Sequence, residues 1–319
     1  MQRFVKKEEV PRKFNIEDPS IWPHHRCGWK CAMKEIDTHL ENSDGILLVS
    51  NADLLFYKTE SLNVPWVGYV HAVIESPIYY KNLYKQYWDL KRFLKRNILN
   101  NCLGLYTFSS HVKDYIKDKT SVPVDLVYHP TDSVDELFDY NRFIDNPNKK
   151  IVLVGQWMRD WQAIYDFPVL PPYDSWPAGK YILTGSSVDY KMIRSTFFLD
   201  PNATVKQISR LSNKKYDELL TENIIFLPLF DLNACNTLIE CIVRNTPLLT
   251  NRLPASEEYL GKDYPFFYEK DDLDSAAEMA SDMDLIKQTT DYLCNMNKTF
   301  LEPKTFLEMT IHSDIYKNL

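Results

Sequence analysis

The residues best suited to chemistry fall in one run, Phe230-Asp-Leu-Asn-Ala-Cys-Asn-Thr-Leu-Ile-Glu240-Cys-Ile-Val-Arg-Asn-Thr-Pro247. It reads as a polar loop, a short helix and a turn. The helix start presents backbone N–H groups that lack intrahelical partners, at the positive end of the helix dipole; together these suit a diphosphate. Asn233, Asn236 and Thr237 lie at that start, and Glu240 is one helical turn beyond Asn236 on the same face, within reach of a ribose. The same residues carry a structural reading. Thr237-Leu-Ile-Glu240 has capping-box spacing, in which both side chains serve the helix's own N–H groups. Residue chemistry by itself favours that role for Glu240.

A histidine, His71, closes the apolar run Pro65-Trp-Val-Gly-Tyr-Val70. A strand-end histidine binds a ligand, takes a proton from an attacking hydroxyl, or is satisfied by neighbouring loops. Metal chemistry has a weaker claim. His24, His25, Cys27 and Cys31 are zinc-ligand types, but they crowd one short segment and lack the usual paired spacing. A helix from near Gly28 that buries Trp29, Met33 and Ile36 accounts for the segment better. Asp272-Leu-Asp274 and Asp282-Met-Asp284 fall in an expected amphipathic helix from Asp272 towards Cys294, whose solvated acidic face explains them. No metal and no cofactor are therefore expected.

Strand-like runs must position these groups. Gly45–Ser50, Val64–Val70, Leu103–Phe108 and Val124–Tyr128 precede a polar, turn-forming stretch, Asp145–Lys150. Beyond it come Ile151–Gly155, Lys180–Thr184, Ile224–Leu227 and Pro247–Thr250, with helices expected at Asn213–Leu220 and Thr237–Arg244. Strands alternating with helices predict an α/β fold with two parallel sheets, two Rossmann-like domains facing a central cleft. The boundary falls near residue 145, giving one domain over 1–145 and a second over 146–319, whose last helix crosses back.

The 319 residues carry 37 Lys+Arg against 44 Asp+Glu, a net charge of −7 that argues against a nucleic-acid partner. Six cysteines are too few for a disulfide scaffold, and the charged N-terminal stretch has no secretory h-region, so a cytoplasmic protein is expected. No apolar run reaches the ~20 residues of a membrane span. The basic, aromatic stretch over 79–96 (Lys81, Lys85, Lys91, Arg92, Lys95, Arg96) would face an anionic acceptor or a membrane periphery, or form the cationic outer face of an ordinary amphipathic helix. These readings stand level.

The Phe230–Thr250 stretch resembles the nucleotide-sugar-binding region of GT-B glycosyltransferases, most nearly the large retaining family 4. Glu240 matches that family's helix glutamate, which holds the nucleotide ribose, and Asn245-Thr-Pro247 matches its Gly-Thr-Pro turn, with asparagine at a left-handed helix end. Gly155-Gln-Trp-Met-Arg159 resembles the glycine-plus-basic loop, where the basic side chain faces the diphosphate. Val205–Leu220, with Ser209 and Arg210, resembles the strand and helix beside the donor base. The chain also departs from the pattern. Leu232 stands eight before Glu240 where the family has its first glutamate, with Asp231 adjacent, and Asn233-Ala-Cys235 replaces the glycines of the donor loop. The glycine-poor, Tyr-, Asn- and Lys-rich composition is reminiscent of glycosyltransferases from large DNA viruses or AT-rich bacteria.

The resemblance implies a transferase that moves a hexose or pentose from a nucleotide-diphosphate-sugar donor to a hydroxyl of a glycan, lipid-linked or protein acceptor, with retention favoured over inversion. The domain over 1–145 would be the acceptor side and that over 146–319 would bind the donor, with His71 and Asp231 at the donor sugar. Gly155, Arg159, Asn233, Asn236 and Thr237 would hold the diphosphate, Glu240 the ribose, and Ser209 and Arg210 would lie near the base. Arg159 and the helix dipole would take the place of a metal. A GT-B protein that binds without turnover, and a nucleotide-sugar epimerase on the same scaffold, are the alternatives.

Overall fold

Strand runs buried on both faces and separated by helix-length segments make parallel sheets, since parallel pairing needs a crossover connection. The computed structural model, which describes residues 10–16, 28–58, 61–77, 90–95, 97–173, 179–183, 205–208 and 210–319, contains two such sheets. The first comprises β1 (Phe14–Asn15), β2 (Ile46–Val49), β3 (Trp66–Tyr69), β4 (Cys102–Thr107) and β5 (Val124–Leu126), hydrogen-bonded in sequence order. The second comprises β6 (Ile151–Val154), β7 (Lys180–Leu183), β8 (Val205–Ile208), β9 (Ile224–Leu227), β10 (Leu248–Asn251) and β11 (Phe267–Tyr268), in the order β11-β10-β9-β6-β7-β8. That order reverses between β6 and β9. In an open parallel sheet the crevice at the carboxyl ends of such a strand pair is where ligands bind.

Each sheet has its own core. In the second, all of Ile151–Val154 and Ile224–Leu227 are buried, at roughly 1.5–3 kcal/mol for each large apolar side chain. In the first, the helix Gly28–Leu40 buries Trp29, Met33 and Ile36. The last helices, Pro303–His312 and Asp314–Asn318, return to this core. Phe306, Leu307, Ile315 and Tyr316 pack with Phe14, Trp29, Tyr69 and Tyr106. Ile315 fills the space over Gly104, where a Cβ would lie 2.6 Å from Ile315 Cγ1.

The structure corrects several element boundaries. The helix expected from Asp272 is two helices, Leu273–Ser281 and Met283–Asn295, because Asp282 leaves helical geometry and its side chain accepts from Leu285 N–H at 3.0 Å. Asp272 likewise caps its helix by accepting from Ser275 N–H at 3.1 Å. The leading aspartates of both Asp-x-Asp triplets are thus helix N-caps, and all four aspartates are exposed, as a solvated acidic face requires. Much of the basic 79–96 segment lies outside the described residues; its described part is the helix Leu90–Lys95, with Leu90 and Phe93 buried. His24, His25 and Cys27 also lie outside them. Among the described residues, no helix is long and apolar enough to cross a membrane.

Candidate active site

The carboxyl ends of β6 and β9 converge on one guanidinium. Gly155 follows β6 with φ +85°, a left-handed conformation natural to glycine, and turns the chain towards Arg159. A Cβ at position 155 would lie 3.2 Å from Arg159 Nη2, so glycine also gives the guanidinium its seat. Arg159 is 6% exposed. Its Nε donates to Val154 O at 3.0 Å and its Nη1 to Trp157 O at 2.7 Å. Nη2 crosses to the loop after β9, donating to Cys235 Sγ at 3.0 Å and Thr237 Oγ1 at 3.3 Å.

Those two residues open the helix Asn236–Arg244. Cys235 is its N-cap and makes no side-chain capping hydrogen bond, while Asn236 is exposed. The arrangement is electrostatically uphill as it stands, because a cation is disfavoured at a helix N-terminus. An anion there would be attracted by both partners. Thr237 is the helix's second residue and is engaged by Arg159, so the capping-box reading is not realised.

Glu240 points elsewhere. It is 2% exposed, and its Oε2 lies 3.5 Å from Nη1 of Arg244, whose Nη2 holds Asp217 Oδ1 at 2.7 Å. Tyr216 OH is also hydrogen-bonded to Glu240. This buried network ties the helix to its neighbour Asn213–Thr221 and occupies the carboxylate expected to hold a ribose. The helix ends on Asn245 at φ 61°, ψ 24°, the left-handed cap that the Asn245-Thr-Pro247 turn implied.

The loop Leu229–Cys235 spans the cleft. Asn233, 1% exposed, donates from Nδ2 to Val70 O at 2.9 Å and Ala72 O at 3.2 Å. Its Oδ1 accepts from Phe108 N–H and Ser109 Oγ, both at 3.2 Å. All four hydrogen-bonding positions of the amide are thereby used, leaving none for a diphosphate. Asp231 does similar work. Its Oδ2 accepts from Glu75 N–H at 3.1 Å and its Oδ1 from Leu232 N–H at 2.7 Å, and burial raises its pKa.

Asn233 grips the carbonyls on either side of His71, which brings the histidine to the cleft opposite the helix start. The ring is half-buried against Trp29, at 4.7 Å between centroids, and Phe108, at 4.8 Å. Nε2 lies 3.1 Å from Ser50 O. Burial, with a further contribution from His129, holds the His71 pKa down to about 3. Arg210 is exposed in the segment before Asn213–Thr221, and Ser209 is outside the described residues. Among the described residues, no group of three or more His, Cys, Asp and Glu side chains converges to hold a metal.

Glu258 and Tyr259, in a segment that also fits the resemblance, form the other bridge across the cleft, a contact no local sequence pattern shows. Glu258 accepts from Ser110 N–H at 2.8 Å, Ser110 Oγ at 2.9 Å and Tyr128 OH at 2.9 Å. Tyr259 OH donates to Phe108 O at 2.8 Å. Asp53 was missed too; its Oδ1 accepts from His71 N–H at 2.7 Å.

No family model matches the chain, and no curated protein matches it in sequence. Solved structures do match in fold. Sucrose-phosphate synthase from Thermosynechococcus elongatus aligns with TM-score 0.58 at 10% identity, over 87% of this chain and 74% of that one. S. aureus TarM, in complex with fondaparinux, alpha-GlcNAc-glycerol and UDP, aligns with TM-score 0.59 at 13% identity, over 90% and 58%. Anabaena HepE, in complex with UDP-glucose, aligns with TM-score 0.57 at 8% identity, over 96% and 98%. The fold is that of the GT-B glycosyltransferases: two parallel α/β sheets meeting at a cleft.

Proposed function

We propose that the chain is a glycosyltransferase using a nucleotide-diphosphate-sugar donor. One observation carries this reading: the Arg159 guanidinium lies against the N-terminus of the helix Asn236–Arg244, at the switch point between β6 and β9. Both are poised for the same anion, and the solved relatives in fold that were captured with UDP or UDP-glucose support a diphosphate in that role. The acceptor, a glycan, lipid or protein hydroxyl, would enter from the first domain.

In the transfer, the acceptor oxygen bonds the anomeric carbon as the bond from that carbon to the β-phosphate breaks. Arg159 and the helix N–H groups take up the charge that develops on the leaving diphosphate, so no metal is required. The acceptor proton passes to that diphosphate, because a histidine held near pKa 3 is a poor general base at neutral pH. This favours retention over inversion. Asp231 would stand at the sugar and Arg210, with Ser209, near the base.

A thermal-shift screen against UDP, GDP, ADP and CMP, then their sugar conjugates, with and without EDTA, tests the donor site. Ligand at a hundred times its Kd adds ~2.7 kcal/mol of stability. An EDTA-insensitive shift with one nucleotide, followed by transfer to an acceptor, supports the reading; no shift with any of them overturns it. Leu232 in place of the first family glutamate, together with the engaged Asn233 and Glu240, favours binding without turnover as the second reading. That outcome would appear as a nucleotide shift with neither transfer nor epimerisation.

A further inference from the structure

The turn after β2 holds His71 at two points. From the helix Ala52–Lys58, Asp53 Oδ1 accepts the backbone N–H of His71 at 2.7 Å, while three residues earlier Ser50 O lies 3.1 Å from ring Nε2. A carbonyl only accepts, so the proton on a neutral ring must be on Nε2, and the lone pair is left on Nδ1. Among the described residues, no group hydrogen-bonds Nδ1. Trp29 and Phe108 pack the ring and fix its plane.

Asp53 is placed at some expense. It is 5% exposed, and its Oδ2 has no partner of hydrogen-bonding geometry among the described residues. Burial raises its pKa to about 7 against backbone N–H groups that lower it. A carboxyl with an orphaned buried oxygen is costly, and a local helix start alone does not require one. The same short turn supplies the acceptor for the ring proton, so fastening the peptide of His71 to Asp53 sets the register between ring and carbonyl.

We infer that Asp53 is a positioning residue that, with the Ser50 carbonyl, fixes His71 as the Nε2–H tautomer and presents Nδ1 to the cleft as a hydrogen-bond acceptor for a hydroxyl of the donor sugar. The inference rests on the donor-site reading above for its ligand, but not for its geometry. His71 serves by accepting a hydrogen bond rather than by transferring a proton. A donor sugar deoxygenated at the contacted position would lose that bond, and nucleotide affinity would be untouched.

Nitrogen-15 spectra of the histidine-labelled full chain test the clamp, with His71 assigned by its loss in His71→Gln. In the wild type the His71 nitrogens should show a single Nε2–H tautomer, unchanged between pH 5.5 and 8. An Nδ1–H or mixed ring would overturn the proposal whether or not any variant folds. Asp53→Ala should give mixed tautomers and at least a tenfold drop in kcat with UDP, or whichever nucleotide binds, held within twofold of its wild-type Kd. Asp53→Asn, which keeps the acceptor oxygen, should restore both. If Asp53→Ala folds and keeps the pure tautomer, the assignment to Asp53 falls. The spectra require no turnover, so a failure of sugar transfer is separable from a failure of the clamp.

Discussion

Glu240 illustrates how a motif match and a side chain's actual partners separate. Its position in the helix fits a ribose ligand, yet its carboxylate lies in a buried network with Arg244, Asp217 and Tyr216. Removing one partner from a buried ionic network leaves the others under-compensated. Glu240→Gln should therefore lower stability by about 1–3 kcal/mol in urea unfolding, and nucleotide titration of the same variant separates the ribose role from the structural one. The cleft histidines make a second residue-scale prediction. Burial depresses His71 to about 3 and His129 to about 4, below the value near 6.5 of an unfolded chain. Between pH 6.5 and 4 the unfolded state binds more protons at these two sites, so their contribution to stability is complete above 6.5 and is lost on acidification. Asp53, raised to about 7, acts in the opposite sense and offsets about one of the two histidines. Net stability from the three should fall by ~1.4 kcal/mol per pH unit on acidification through that window, and His71→Gln should flatten the fall.

At the scale of elements, the sequence showed most of the strands that build the second sheet and the turn that follows the helix Asn236–Arg244. Ile151–Gly155 and Ile224–Leu227 were legible because strands buried on both faces are continuous apolar runs. Asn245 was legible because few residues besides glycine tolerate a left-handed cap. Asn245→Gly should be near neutral, while Asn245→Val should cost 1–2 kcal/mol in thermal unfolding, from the clash of a branched Cβ at φ 61°. The two-residue strands Phe14–Asn15 and Phe267–Tyr268 carried no periodicity to read. The break at Asp282 was also hidden, because an aspartate inside an apolar-periodic run looks like a polar face until its capping hydrogen bond is seen. The contacts made by Arg159, Asn233 and Asp53 are tertiary: each joins elements distant in the chain, and no local pattern encodes them.

At the scale of the molecule, Asn233, Glu258 and Tyr259 bind the second domain to the ends of β3 and β4. Asn233→Ala would orphan two carbonyls, one amide and one hydroxyl at the cleft floor. It should cost about 2–4 kcal/mol and raise the radius of gyration in small-angle scattering, with each sheet's hydrogen-exchange protection largely kept; an unchanged radius would mean that the Glu258–Tyr259 bridge suffices. The returning helices have a different consequence. The packing of the first sheet needs Phe306, Ile315 and Tyr316, and the Tyr106 hydroxyl meets Ser313 Oγ at 3.0 Å. Phe306, Ser313, Ile315 and Tyr316 all follow the entire second sheet in the chain. On a ribosome, therefore, the domain begun second is the one that can finish first, while β1 to β5, covered on that face by the helix Gly28–Leu40 alone, wait for residues 303–319 to complete their core, an interval in which chaperone capture or aggregation competes with folding.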